Sequence, residues 1–280
     1  MLEVNGVTDL RARIDAWRRE GARIVFVPTM GNLHAGHLAL VARARALGER
    51  VAVSVFVNPT QFAPGEDYDS YPRTLDADRQ RLEAGQVDLL FAPDVANIYP
   101  QGVKTDSAYT VPAVGRNLEE TFRPGHFAGV ITVVRRLFEL VTPDVAVFGE
   151  KDYQQLAVIR AVVRDLALPV EIASVPTVRE ADGLALSSRN QYLSGAERAI
   201  APLLQRTLRE VADSVGAGQD DYCALESAAV RRLRDAGFAP DYVCIRDAVT
   251  LQPLAAGETH GVVLAAARLG RARLIDNVIF

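Results

Sequence analysis

Apolar residues in the first part of the chain gather into short β-branched runs: "RIVFVPT" (23–29), "VAVSVFVN" (51–58), "VDLLFAP" (87–93), "DVAVFG" (144–149) and "VEIASV" (170–175). Between them lie segments of helical character, such as "LALVARARAL" (38–47), "TLDADRQRLEAG" (74–85) and "VITVVRRLFELV" (130–141). Strands that are apolar on both faces and separated by helices predict a parallel sheet covered on both sides. The expected architecture is a Rossmann-like, doubly wound α/β domain over residues 1–176. After "SSRNQYLSGAER" the pattern changes. Two helical stretches, "AERAIAPLLQRTLREVADSVG" (196–216) and "DDYCALESAAVRRLRDAGF" (220–238), precede "DYVCIRD", "HGVVLAAARLG" and "ARLIDNVIF". Those three read as an antiparallel sheet, so residues 177–280 are expected to form a smaller α+β domain.

The longest irregular stretch, "NPTQFAPGEDYDSYPRT" (58–74), interrupts the first domain. Long loops inside compact domains usually carry function. No apolar run approaches the roughly 20 residues that cross a bilayer. The charged N-terminal segment has no signal-peptide core, so a cytoplasmic location is expected. A net charge of -4 gives no global field for nucleic acid or an anionic membrane. Any polyanionic substrate must then be held by local groups. Cys223 and Cys244 make neither a metal spacing nor a disulfide framework, and both read as core-filling thiols.

Two of the four histidines stand in "PTMGNLHAGH" (28–37), directly after the first long strand. Here Val27 is expected to end the strand, Pro28 to close it, and a helix to start near Gly36. In open α/β sheets ligands sit beyond the carboxyl ends of the strands at such a turn. The unpaired N–H groups at a helix start attract phosphate. Gly31 and Gly36 let the backbone approach a ligand, and His34 and His37 on the first turn can donate to phosphoryl oxygens. A metal pair is the competing reading, but residues 21–48 contain no carboxylate, no cysteine and no third histidine.

Neither the P-loop pattern nor G-x-G-x-x-G occurs. "HAGH" resembles instead the HIGH signature of the nucleotidyltransferase superfamily. Three further stretches narrow this. "VFVNPTQF" presents Asn58 and Gln61, "FGEKDYQQ" presents Lys151, Asp152 and Gln155, and "LALSSRNQYLS" presents Ser187, Ser188 and Arg189. In this order the four stretches, spanning about residues 23–193, resemble the pantoate–β-alanine ligase (pantothenate synthetase) family. One departure is Leu186, where the family usually has methionine in M-S-S-R-N.

The resemblance implies ATP-dependent ligation of pantoate and β-alanine through a pantoyl adenylate, with pyrophosphate and AMP released. It implies His34, His37 and Lys151 as catalytic groups. For ATP it implies Met30, Gly31, Asn32, Leu33, His34, Ala35, Gly36 and His37, then Gly149, Glu150, Lys151 and Asp152. Val178, Leu186, Ser187, Ser188 and Arg189 complete that set. Gln61, Gln155, Asn58 and Met30 would hold pantoate and β-alanine. Mg²⁺ is the implied metal, with Asp76 and Asp78 in "TLDADRQ" as candidate ligands and Asp78 the foremost, although an acidic first helical turn is also a routine preference. A cytoplasmic homodimer, with the second domain closing over the site, is the implied assembly. His126 in "RPGHFAGV" fits a cleft-lining or a structural role, and His260 reads as a loop histidine. A nucleotidyltransferase making another nucleotide-linked product and a module that only senses ATP are the alternative functions.

Overall fold

The computed structural model describes residues 1–63, 65–105, 109–255, 257–258 and 260–280. The chain divides into two compact units, residues 1–150 with 155–176, and residues 151–154 with 177–280.

In the first unit the elements run β1 (Leu2–Val4), α1 (Val7–Arg19), β2 (Ile24–Thr29), α2 (Ala35–Arg45), β3 (Arg50–Val55), α3 (Leu75–Ala84) and β4 (Leu89–Phe91). They continue with α4 (Val95–Ile98), α5 (Glu119–Phe122), α6 (His126–Val141), β5 (Val145–Gly149), α7 (Tyr153–Asp165) and β6 (Glu171–Val175). The strands form a six-stranded sheet in the order β1-β4-β3-β2-β5-β6. Every pairing in it is parallel.

The alternation of side chains along each strand divides the core. Ile24, Phe26, Ala52, Leu89, Phe91, Ala146 and Phe148 face α1, α6 and α7. Val25, Val27, Val51, Val53, Leu90, Val145 and Val147 face α2 and α3. Both faces are apolar because both are covered, which is the sequence signature of such strands. From β2 the chain winds outward through β3 and β4, then returns to β5 on the other side of β2. The carboxyl ends of β2 and β5 therefore flank the switch point of the sheet, the usual ligand position in this architecture.

Several local expectations are corrected. β1 is not evident in the sequence; three residues give no readable period, and pairing with β4 defines them. β2 does not end at Val27 but continues through Pro28 to Thr29, paired with Ser54 and Val55. Its pairing with β5 involves only Val25 and Phe26, so Pro28 lies past the end of that ladder and its missing N–H disrupts nothing there. Cys223 is exposed, on an α10 helix whose buried positions are Ala229 and Leu233. The second thiol, Cys244, is buried and pushed up to about 12 by desolvation.

The second unit contains α8 (Gly195–Ile200), α9 (Leu203–Gly216), α10 (Tyr222–Asp235), β7 (Ala239–Asp247), β8 (Gly261–Leu269) and β9 (Ala272–Ile279). The helical stretch expected from 196 to 216 is split where Pro202 removes a backbone donor. The strands form an antiparallel sheet, β7-β8-β9. Leu204, Leu208, Val211 and Leu233 of the helices pack with Val243, Val263, Ala265 and Leu274 of its strands. Exposed His260 immediately precedes β8.

Candidate active site

The loop after β2 is shaped by one buried carboxylate. Asp78 in α3 is fully buried. It accepts from the Asn32 N–H at 2.9 Å, the Leu33 N–H at 2.8 Å and the Thr74 hydroxyl at 3.1 Å. These contacts hold Asn32 at φ 50 and Gly31 at φ 82, in the left-handed region. A Cβ on Gly31 would meet Val55 at 2.9 Å and Asp78 at 3.1 Å, so the position suits only glycine. Leu33, 2 % exposed, then plugs the loop into the core.

That loop delivers the two histidines to the start of α2. His34 is the residue capping the helix, and its Nδ1 accepts from the Gly36 N–H at 3.1 Å. His37 returns the arrangement, its Nδ1 accepting from the His34 N–H at 3.3 Å. The ring centroids lie 4.2 Å apart. A nitrogen that accepts a backbone N–H carries no proton, so in each neutral ring the proton is on Nε2. Two Nε2–H donors thus stand at a helix N-terminus beyond the carboxyl end of β2. This chemistry suits an anion with several oxygens.

Gln61 closes a 3₁₀ turn, Pro59–Gln61, that follows β3. Asn58, expected beside it as a substrate group, is 1 % exposed and has its amide taken up by the protein. Its Nδ2 donates to Gln61 Oε1 at 3.0 Å and to the Gly129 carbonyl at 3.3 Å. Its Oδ1 accepts from Tyr99 at 2.6 Å and from the Thr60 hydroxyl at 3.0 Å. Asn58 therefore acts behind Gln61: it engages Oε1, so the Gln61 NH₂ is the donor end of that amide. The turn rests directly on α6, where a Cβ on Gly129 would lie 1.9 Å from the Thr60 carbonyl oxygen.

A second layer holds the same turn. The Gln61 carbonyl accepts from Arg123 Nη2 at 3.1 Å and lies 3.0 Å from His126 Nδ1. Arg123 forks Glu66, with Nε to Oε1 at 2.8 Å and Nη2 to Oε2 at 2.9 Å. Burial pushes the Glu66 carboxyl up, but its hydrogen bonds and the Arg123 charge outweigh that and leave it lowered. Burial first, and the Arg123 charge second, push His126 down to about 4, so its ring is neutral near pH 7.

Gly149 ends β5, and Glu150 accepts from the Ser174 hydroxyl of β6 at 2.7 Å. Gln155 follows in the first turn of α7. Met30 lies between Thr29, which ends β2, and Gly31. Within the first unit, the loops after β2, β3 and β5 thus leave the same edge of the sheet. They carry Met30 to His37, Gln61, and Gly149 with Glu150.

In the second unit the Lys151 carbonyl accepts from Asn277 Nδ2 at 3.0 Å. Lys151 Nζ stands 3.9 Å from Asp152, too long for a hydrogen bond. Val178 and Leu186 pair across a tight hairpin, the Leu186 N–H donating to the Val178 carbonyl at 3.0 Å. Arg179 fastens that hairpin to β9 through a bidentate pair with buried Asp276, at 2.6 and 2.9 Å. Ser187 caps the following 3₁₀ turn by accepting the Arg189 N–H at 3.2 Å. Ser188 and Arg189 open that turn, so hydroxyl and guanidinium groups are gathered on one short, anchored segment.

Comparison with known proteins is decisive: residues 3–279 match the family described as pantoate-beta-alanine ligase. The chain belongs to the pantoate–β-alanine ligase family. It is 53% identical to the pantothenate synthetase of Azotobacter vinelandii over 278 residues, covering 99% of this chain and 98% of that one. The Pseudomonas aeruginosa synthetase is 54% identical over 278 residues, with the same coverage. The crystal structure of the Thermus thermophilus synthetase is 50% identical and superposes with a TM-score of 0.92, covering 99% of each chain. The Francisella tularensis ligase, complexed with beta-gamma ATP and beta-alanine, is 34% identical with a TM-score of 0.84, covering 100% of this chain and 97% of that one.

Asp78 does not fit the Mg²⁺ role that the sequence resemblance implied for it. Both Asp78 oxygens already accept backbone N–H groups in a fully buried position. Among the described residues no group of three or more His, Cys, Asp or Glu side chains could hold a metal ion. Asp76 is exposed at the surface and pairs with Arg79 at 2.7 Å. Gly129, Arg123 and Glu66 shape the site without any signal in the motifs, whereas Asp78 was expected as a metal ligand and His126 in a cleft-lining or structural role.

Proposed function

We propose that this chain ligates pantoate and β-alanine to pantothenate at the expense of ATP, through pantoyl adenylate. The observation that carries the reading is the family match across residues 3–279, which includes all four motifs in order. A pantoate carboxylate oxygen attacks the α-phosphorus of ATP, and the bond to the bridging oxygen breaks to release pyrophosphate. The β-alanine amine then attacks the acyl carbon; its proton is lost, the acyl–phosphate bond breaks and AMP leaves.

The physical difficulty is bringing a carboxylate to a polyanion. His34 and His37 offer two Nε2–H donors beside the N–H groups opening α2, matched to charge on the transferred phosphoryl group. Lys151, Ser187, Ser188 and Arg189 are the cationic and hydroxyl groups suited to the remaining phosphate oxygens. Gln61, its Oε1 already occupied, offers NH₂ to pantoate oxygens, with Gln155 as its companion. Holding the attacking oxygen in line is worth up to ~7–11 kcal/mol in favourable cases, so the rigidity of the Gln61 turn bears directly on rate.

Mg²⁺ commonly binds through substrate phosphates with few protein ligands. Asp78 is assigned to the loop, and no step above depends on the metal. The family resemblance also carries a homodimer, checked by light scattering, and a cytoplasmic location, checked by cell fractionation. Among the described residues no helix is long and apolar enough to cross a membrane. The deciding experiment measures pyrophosphate release with ATP and pantoate alone, then AMP and pantothenate after β-alanine is added. Release that needs no pantoate, or that needs a phosphorylated co-substrate instead, would overturn the assignment.

A further inference from the structure

We propose that His126, together with Arg123, is a positioning residue for pantoate recognition, clamping the main chain of Gln61 so that its side-chain amide is presented in one orientation. This rests on the reading of Gln61 as a pantoate group and extends it to residues outside the four motifs.

The hydrogen-bond roles follow from the chemistry of the partners. Arginine cannot accept, so Arg123 Nη1, 3.1 Å from His126 Nε2, must donate to it. His126 Nδ1 then carries the proton and donates to the Gln61 carbonyl at 3.0 Å. This is the opposite tautomer to that of His34 and His37, whose Nδ1 atoms accept. Three histidines near one sheet edge thus have different work: two carry the proton on Nε2, and one directs Nδ1–H onto the main chain.

The carbonyl is gripped by two donors, His126 and Arg123, while Asn58 holds the side-chain oxygen of the same residue. Fixing both ends of Gln61 removes most of its freedom before substrate arrives, and pre-organisation of this kind is expressed as substrate affinity. The clamp is itself stiff. Arg123 is forked onto Glu66 by two bonds, and Glu66 Oε2 accepts the Ala63 N–H at 3.2 Å, bracing the segment just after Gln61. His126 begins α6, whose Gly129 abuts Thr60. A ring required only to fill space would not need both nitrogens engaged.

The test compares wild type, Gln61→Ala, His126→Phe and His126→Asn by KM for pantoate, KM for ATP, kcat and Tm. Phenylalanine keeps the ring and removes the donor. Asparagine is smaller, yet its Nδ2 stands near the place of Nδ1 and can donate to the carbonyl. Losing one neutral hydrogen bond predicts that His126→Phe raises KM for pantoate about threefold to tenfold. KM for ATP should stay within about twofold, and His126→Asn should recover most of the loss. A folded His126→Phe with wild-type KM for pantoate overturns the inference. So does a loss shared equally by ATP and pantoate, or a folded His126→Asn no better than His126→Phe. If wild type shows no pantoate-dependent pyrophosphate release, the functional assignment falls and takes the clamp's role with it. If wild type turns over and Gln61→Ala is selective for pantoate, failure of the His126 variants condemns the clamp alone.

Discussion

The two nitrogens of a histidine are distinct reagents, and His37 shows how the structure separates them. Its Nδ1 is spent on the His34 N–H, which is work for the helix start; its Nε2–H is the donor suited to phosphate chemistry. Substitutions can divide the two roles. His37→Asn keeps an acceptor near Nδ1 and loses the donor, so it should fold with a near wild-type Tm and form adenylate at least about tenfold more slowly. A single charge-stabilising donor in comparable sites contributes ~2.7–4 kcal/mol. His37→Gln, whose amide NH₂ reaches toward the Nε2 place, should retain more activity. Stopped-flow pyrophosphate release checks both. An Asn variant as fast as wild type would confine His37 to capping.

Between elements, the closest approach at the site is a helix against a turn. Gly129 in α6 allows the Thr60 carbonyl to sit where a side chain would begin, 1.9 Å from an ideal Cβ. Its own carbonyl accepts from Asn58 Nδ2 at 3.3 Å and lies 3.2 Å from Thr60 Oγ1. The obstructing Thr60 carbonyl and Gln61 nitrogen belong to the backbone and cannot rotate away, so Gly129→Ala must separate helix and turn. Overpacking of this kind costs about 1–3 kcal/mol. The expected result is a lower Tm together with a raised KM for pantoate, because Gln61 moves with the turn. Thermal melts and kinetics of the same preparation check it; a full loss of stability with unchanged pantoate affinity would show that the turn does not follow the helix. This contact is invisible in the sequence, where Gly129 looks like an ordinary small residue within "GHFAGV".

The stability of the molecule should respond to acid through the cluster behind Gln61. His126 faces Arg123, Glu119 and Glu66, and its folded value of about 4 lies below the ordinary 6.5. The unfolded chain therefore binds more protons between those values, so stability rises with pH across that window and is lost as pH falls toward 4. Glu66 acts in the same sense, since its carboxyl is lowered from 4.5 and the stability it contributes is lost as pH falls through its folded value. The expected outcome is a Tm that drops from pH 7 to pH 4.5, with a smaller drop in His126→Phe. Melting curves over that range check it; equal slopes for both proteins would show that His126 does not titrate with unfolding.

What could be determined from the chain alone was whatever repeats at short range or stands at fixed spacing. The buried strands of the parallel sheet, the change of character after "SSRNQYLSGAER" and the "HAGH" turn all have signals of this kind. In each, one element's own residues state its environment, so the family and the fold could be read together. Tertiary structure decided what depends on partners distant in sequence. Asp78 looked like a metal candidate because its acidity is local information; that both oxygens are filled by Asn32 and Leu33, about 45 residues earlier, is not. Asn58 looked like a substrate group until Gly129 and Tyr99 claimed its amide. His126 showed no preference between lining a cleft and holding structure. Its tautomer, and with it its work, is set by an arginine on one side and a carbonyl on the other. A side chain's type limits which bonds it can make, and only the fold determines which of them are already taken.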